Sequence, residues 1–123
     1  YKTKNIEPHY NPLFELQRIP FFWEDDVEVY EKNLDWSFKS TKHIPGLKIY
    51  NFHPIHIILN TNNMNDFKKI QKKIEVNSLN DEILQKYVNK KKGVKDIFLE
   101  ILDFLQSKKT FTVNEVIKNK LSV

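Results

Sequence analysis

Every proline, every tryptophan, every histidine and the single arginine of this chain fall before Asn60, whereas the stretch from Asn60 onward is dominated by Lys, Asn, Ile and Leu at helical spacing. Backbone breaks, large aromatics and groups that titrate near neutrality are thus confined to one half, and chemistry is expected there. The other half is expected to close the fold with helices. At 123 residues the chain fits one domain, divided here into a motif-bearing segment 1–60 and a mainly helical segment 61–123.

Composition narrows the chemistry further. There is no cysteine, which removes disulfides, thiol nucleophiles and thiolate metal sites and leaves His, Asp and Glu as the available ligands. The net charge of +4 rests on lysine with only Arg18 beside it, a poor basis for bidentate reading of bases or phosphates, so a nucleic-acid partner is not expected. With only Gly46 and Gly93, no phosphate-cradling loop is written, and Lys90-Lys-Lys92 reads as a solvated turn. No apolar run approaches the roughly 20 residues of a membrane helix, and the N-terminus lacks the apolar stretch of a signal peptide. A soluble, cytoplasmic protein is expected. The absence of alanine and the weight of Lys, Asn and Ile fit an AT-rich bacterial coding sequence.

The run Ile19-Pro-Phe-Phe-Trp23 reads as a short buried strand ended by Glu24-Asp25-Asp26, and Leu47 to Phe52 alternates as a second strand leading into His53, its apolar character continuing over Ile55 to Leu59. A turn is expected at Pro45-Gly46, and a short helix or loop between Val27 and Phe38. Helices are expected over Met64–Ile74, with Asn63 or Asn65 as cap, over Asn80–Val88, over Val94–Leu105 and over Val113–Leu121 behind a Thr112-x-x-Glu115 capping box. Val94, Ile97, Phe98, Ile101, Leu102 and Leu105 would form one apolar face.

Two strand-like runs that end in titratable groups form the leading constellation, because side chains at the carboxyl ends of parallel strands converge on one rim. His53, an imidazole near its neutral titration point, is the candidate acid or base. His53 and His56 have a metal-like spacing, but on a continuous strand they would point to opposite faces, so His56 reads as a structural residue and no metal ligand is assigned in this chain. Arg18 would cover the strand entrance or orient a carboxylate. Trp23 and Trp36 suit either a core or a sugar-stacking platform.

Arg18-Ile-Pro-Phe-Phe-Trp-Glu-Asp-Asp26 and Gly46-Leu-Lys-Ile-Tyr-Asn-Phe-His-Pro-Ile-His-Ile57 resemble the later motifs of polysaccharide deacetylases of the WbmS-like subgroup. Arg18, Pro20 and Phe21 match the groove-lining motif, Leu47 and His53 the late strand with its catalytic histidine, and Asp35-Trp36, at a shorter spacing, the intermediate Asp-Trp motif. The resemblance implies an α/β fold, the C-terminal part of a distorted (β/α) barrel followed by helices. It also implies hydrolysis of an N- or O-acetyl group on a sugar or polysaccharide in surface-polysaccharide biosynthesis. His53 would be the acid, Arg18 an orienting group, Asp25 and Asp26 members of the catalytic set, and Trp23, Trp36 and Glu24 the substrate rim. The divalent metal of such enzymes, zinc by expectation, and their general base come from earlier motifs absent here, so the chain by itself is expected to be inactive. The rival expectation is a non-enzymatic module whose basic helical half binds a protein or nucleic acid.

Overall fold

The computed structural model describes residues 7–31, 35–74 and 80–118. Leu34, counted with the Val27–Phe38 segment, and the end of the last expected helix through Leu121 lie outside the described residues.

The chain opens with an antiparallel hairpin, β1 (His9–Asn11) and β2 (Leu16–Arg18), in register His9↔Arg18. Its connection is closed by the Asn11 side chain, which accepts a hydrogen bond from the Leu13 amide at 3.1 Å, and by Glu15 in the left-handed region at φ 51°. The hairpin was not foreseen, since both strands are exposed and carry no alternating apolar pattern.

The expected strand Ile19–Trp23 shrinks to β3 (Trp23–Glu24), and the expected Leu47–Phe52 strand to β4 (Tyr50–Asn51). Pro20 has no amide hydrogen and Phe21 faces solvent, so pairing starts only where Phe22 and Trp23 both donate to the Ile49 carbonyl, at 2.9 and 3.2 Å. The two strands run parallel, Trp23 beside Tyr50 and Glu24 beside Asn51. Helix α1 (Asp25–Glu28) follows β3 directly, and a 3-10 turn over Phe38–Ser40 leads toward the turn at Gly46, φ 98°.

The largest departure lies at Pro54. Ile55 to Leu59 is not an extension of the strand but helix α2 (Pro54–Leu59). Proline at the first helical position loses nothing, because that amide has no partner within the helix, and its fixed φ suits the first turn. The amides of His56 and Ile57 both donate to the His53 carbonyl, and Asn60 ends the helix in the left-handed conformation, φ 48°. Wrapped this way, Leu59 and His56 are buried while Ile58 is exposed.

The later helices follow their caps. α3 (Met64–Gln71) starts at Asn63, whose side chain accepts from the Asp66 amide, and α4 (Asp81–Tyr87) at Asn80, which accepts from Ile83. α5 spans Val94–Leu105 and α6 Val113–Lys118, the latter behind the Thr112–Glu115 capping box. On α5 the buried stripe is Val94, Ile97 and Ile101 with Phe98 and Phe104 beside it; Leu102 and Leu105 point outward.

Trp23, Phe22, Trp36, Phe38, Leu59, Phe67 and the α5 stripe make one core. Phe52 bridges it, 4.9 Å from Trp23 and 5.1 Å from Phe98 between ring centres. The arrangement is α/β, with two two-stranded sheets and six α-helices, and no closed barrel forms among the described residues.

Asn60 fastens α2 to the start of α5. Its side-chain Nδ2 shares two N–H groups among the carbonyls of Asn89 and Lys91 and the Asp96 carboxylate, at 2.9 to 3.2 Å, and its side-chain oxygen accepts from the Lys95 amide at 3.0 Å. Gly93 packs so tightly here that a Cβ would sit 2.3 Å from the Asn60 carbonyl oxygen. Backbone cannot yield as a flexible side chain does, so Gly93→Ala is expected to destabilise the fold by at least about 1–3 kcal/mol. Urea unfolding of the variant checks this, and an unchanged midpoint would refute the close contact.

Candidate active site

Because β3 and β4 run parallel, the chain leaves both at the same edge of the sheet. Asp25 follows β3 immediately, and His53 stands two residues beyond β4 as the N-cap of α2. The Asp25 carboxylate is fully buried and collects three N–H groups: the His53 amide at 2.7 Å, the His53 Nδ1 at 2.6 Å and the Asp26 amide at 2.8 Å. A carboxylate only accepts, so Nδ1 carries a proton toward Asp25. Nε2 is then the working nitrogen of a ring whose side chain is 40 % exposed.

The Asp25 hydrogen bond, reinforced by the charges of Asp25, Asp26 and Glu24 and opposed by partial burial, holds the His53 pKa above the ordinary histidine value. Glu24 itself is anchored across the sheet, its Oε1 accepting from Asn51 Nδ2 at 2.9 Å.

Asp26 is half-exposed and faces both histidines: Oδ2 lies 3.6 Å from His53 Nε2 and Oδ1 lies 2.7 Å from His56 Nε2. His56 is buried, with Nδ1 3.1 Å from Thr61 Oγ1 and its ring 4.5 Å from that of Phe67. His53 and His56 do not point to opposite faces, because the segment is helical from Pro54; the two rings lie 6.1 Å apart and share one carboxylate.

The structure therefore brings together His53, Asp25, Asp26 and Glu24 and adds His56 and Thr61, which sequence reasoning left out of the site. Arg18 lies on the exposed β2 and makes no hydrogen bond or ion pair to the carboxylates among the described residues. Trp23 and Trp36 are 2 % and 7 % exposed, so neither presents a ring face to a sugar; burial places both in the core, with Trp36 Nε1 donating to the Asn62 carbonyl at 3.2 Å. His9 and His43 are exposed.

Asp25, Asp26 and His53 offer ligand atoms within 4.8 Å of one another. Two of the three N–H contacts fall on Asp25 Oδ1 and one on Oδ2, so this carboxylate already serves to hold His53 in place.

The WbmS-like polysaccharide deacetylase profile matches residues 2–71, more than half of the chain. A crystal structure from Bordetella bronchiseptica, of a protein assigned as a polysaccharide deacetylase involved in O-antigen biosynthesis, superposes with a TM-score of 0.62 at 22% identity. The superposition covers 82% of this chain and 40% of that one, so the chain spans well under half the length of this relative. No curated protein matches.

The raised His53 pKa fixes the sign of two effects. The His53–Asp25 pairing stabilises the fold fully below the unfolded value of 6.5, and that contribution fades as pH rises through the higher folded value. Asp25→Asn, which removes the charge and one acceptor, should lower the His53 titration midpoint read by NMR. A midpoint that stays put would show that Asp25 does not set it.

Proposed function

The chain belongs to the WbmS-like polysaccharide deacetylase family, and from that premise we propose that it supplies the acid side of a sugar-deacetylating active site, with His53 as the proton donor. The single observation carrying this reading is the buried Asp25 carboxylate that takes both the amide and Nδ1 of His53 and leaves Nε2 facing outward.

Hydrolysis of an acetamide or acetate ester passes through a tetrahedral intermediate, and its collapse requires a proton on the departing nitrogen or oxygen. An imidazole held protonated by a fixed carboxylate meets that need at near-neutral pH. Asp25 keeps the tautomer and orientation of the ring; Asp26 and Glu24 add negative charge around it. Glu24 and the open side of His53 border the place where the leaving group would lie.

The substrate class is an N- or O-acetylated sugar or polysaccharide. The description of the Bordetella relative, a protein involved in O-antigen biosynthesis, supports a setting in surface-polysaccharide biosynthesis. The general base and the divalent ion, zinc by family expectation, are assigned to residues outside this chain, where the rest of a distorted barrel would complete the site. By itself the chain is expected not to turn over substrate. The convergence of His53 with the acidic cluster favours this reading over a basic binding module.

Acetate release from N- and O-acetylated sugars, assayed with the longer protein that carries this chain, tests the proposal. His53→Ala should lower the rate by about 10²–10⁴-fold, the range for loss of a positioned general acid, while circular dichroism reports an intact fold. Unchanged turnover would remove His53 from the mechanism.

A further inference from the structure

We propose that His56 is a positioning residue: its Nε2 donates to Asp26 Oδ1 and thereby keeps the second oxygen of that carboxylate turned toward Nε2 of His53. This inference rests on the deacetylase reading for its chemical purpose, but not for its geometry.

Asp26 sits on the four-residue helix α1 with its side chain 48% exposed, and water competes for it. Its side chain has two partners among the described residues, His56 at 2.7 Å and His53 at 3.6 Å. The longer distance is a charge interaction rather than a hydrogen bond, too weak alone to hold a half-exposed carboxylate. The anchor is the His56 ring, which is fixed on every side. It is 1% exposed, stacked edge-on against Phe67, and met at Nδ1 by the hydroxyl of Thr61, itself buried. Nε2 must carry a proton to face a carboxylate, and in the neutral ring Nδ1 is then the acceptor and the Thr61 hydroxyl the donor that favours this tautomer. A line of contacts therefore runs from Thr61 through His56 and Asp26 to the exposed nitrogen of His53, opposite the Asp25 contact on the other nitrogen. Glu24, Asp25, Asp26 and His56 are the titratable groups around His53. In the deacetylase reading, this sets how readily the ring takes up its proton between turnovers.

The test is an NMR titration of His53 in the full chain, wild type and variants. Asp26→Asn should move the His53 midpoint to lower pH. His56→Leu should move it in the same direction but less far, because the released carboxylate keeps its charge; the double variant should go no further than Asp26→Asn alone, and His56→Gln, which places an N–H where Nε2 was, should restore most of the His56→Leu shift. A His53 midpoint that is unchanged in His56→Leu, or additive shifts in the double variant, would overturn the proposal. Should His56→Leu not fold, Thr61→Val keeps the packing and removes only the hydroxyl. It is expected to lower the midpoint and to change the ring-nitrogen tautomer signals of His56, and an unchanged midpoint would again overturn the proposal. Because the readout needs no turnover, failure of acetate release would sink the deacetylase reading while leaving this result standing. In the longer protein the limb of the pH–kcat profile belonging to His53 should shift with the NMR midpoint while KM stays constant.

Discussion

One buried carboxylate organises this structure. Asp25 has no access to water and must find its hydrogen bonds within the protein. It finds them in the amide and ring of His53 and in the amide of its own neighbour. Those bonds do what a longer sheet would otherwise do. They join the end of β3 to the end of β4, and they select the N-cap position from which α2 departs. The two-rung sheet, the proline-initiated helix and the orientation of the imidazole all depend on this junction.

Legibility in the sequence followed how local each determinant was. The helices after Asn60 are readable because each carries its own start signal: Asn63 and the Thr112–Glu115 pair cap as expected, Gly93 opens α5, and Asn80, expected as the first helical residue, turns out to be the cap of α4. The region before Asn60 was harder, because tertiary context overrode local pattern. Ile55, Ile57 and Ile58 favour a strand on propensity, but Pro54 is as well suited to beginning a helix as to ending a strand, and burial of His56 and Leu59 on a common side decides between them. The exposed hairpin left no periodic trace at all.

The candidate site divides in the same way. The meeting of His53 with the acidic cluster was legible from two strand ends, since parallel pairing delivers both to one edge whatever the length of the strands. The place of His56 is not legible in the sequence, because it depends on the period of the segment: three residues apart means opposite sides in a strand, while a helical turn brings both rings to Asp26. The tryptophans could have stood in the core or on a rim, and only the burial of Trp23 and Trp36 separates those outcomes.

The knot around Asn60 gives the lysine-rich half of the chain a part in the chemistry of the other half. α2 is less than two turns long and would fray if left to itself. Its far end is moored instead to the loop before α5 and to the Asp96 carboxylate, and α5 in turn lies along the aromatic core. His53 sits at the near end of that short rod. The longest helix among the described residues, which contributes no residue to the site, thus works as a splint for the imidazole, and wear at a distant asparagine would be felt as play in the ring.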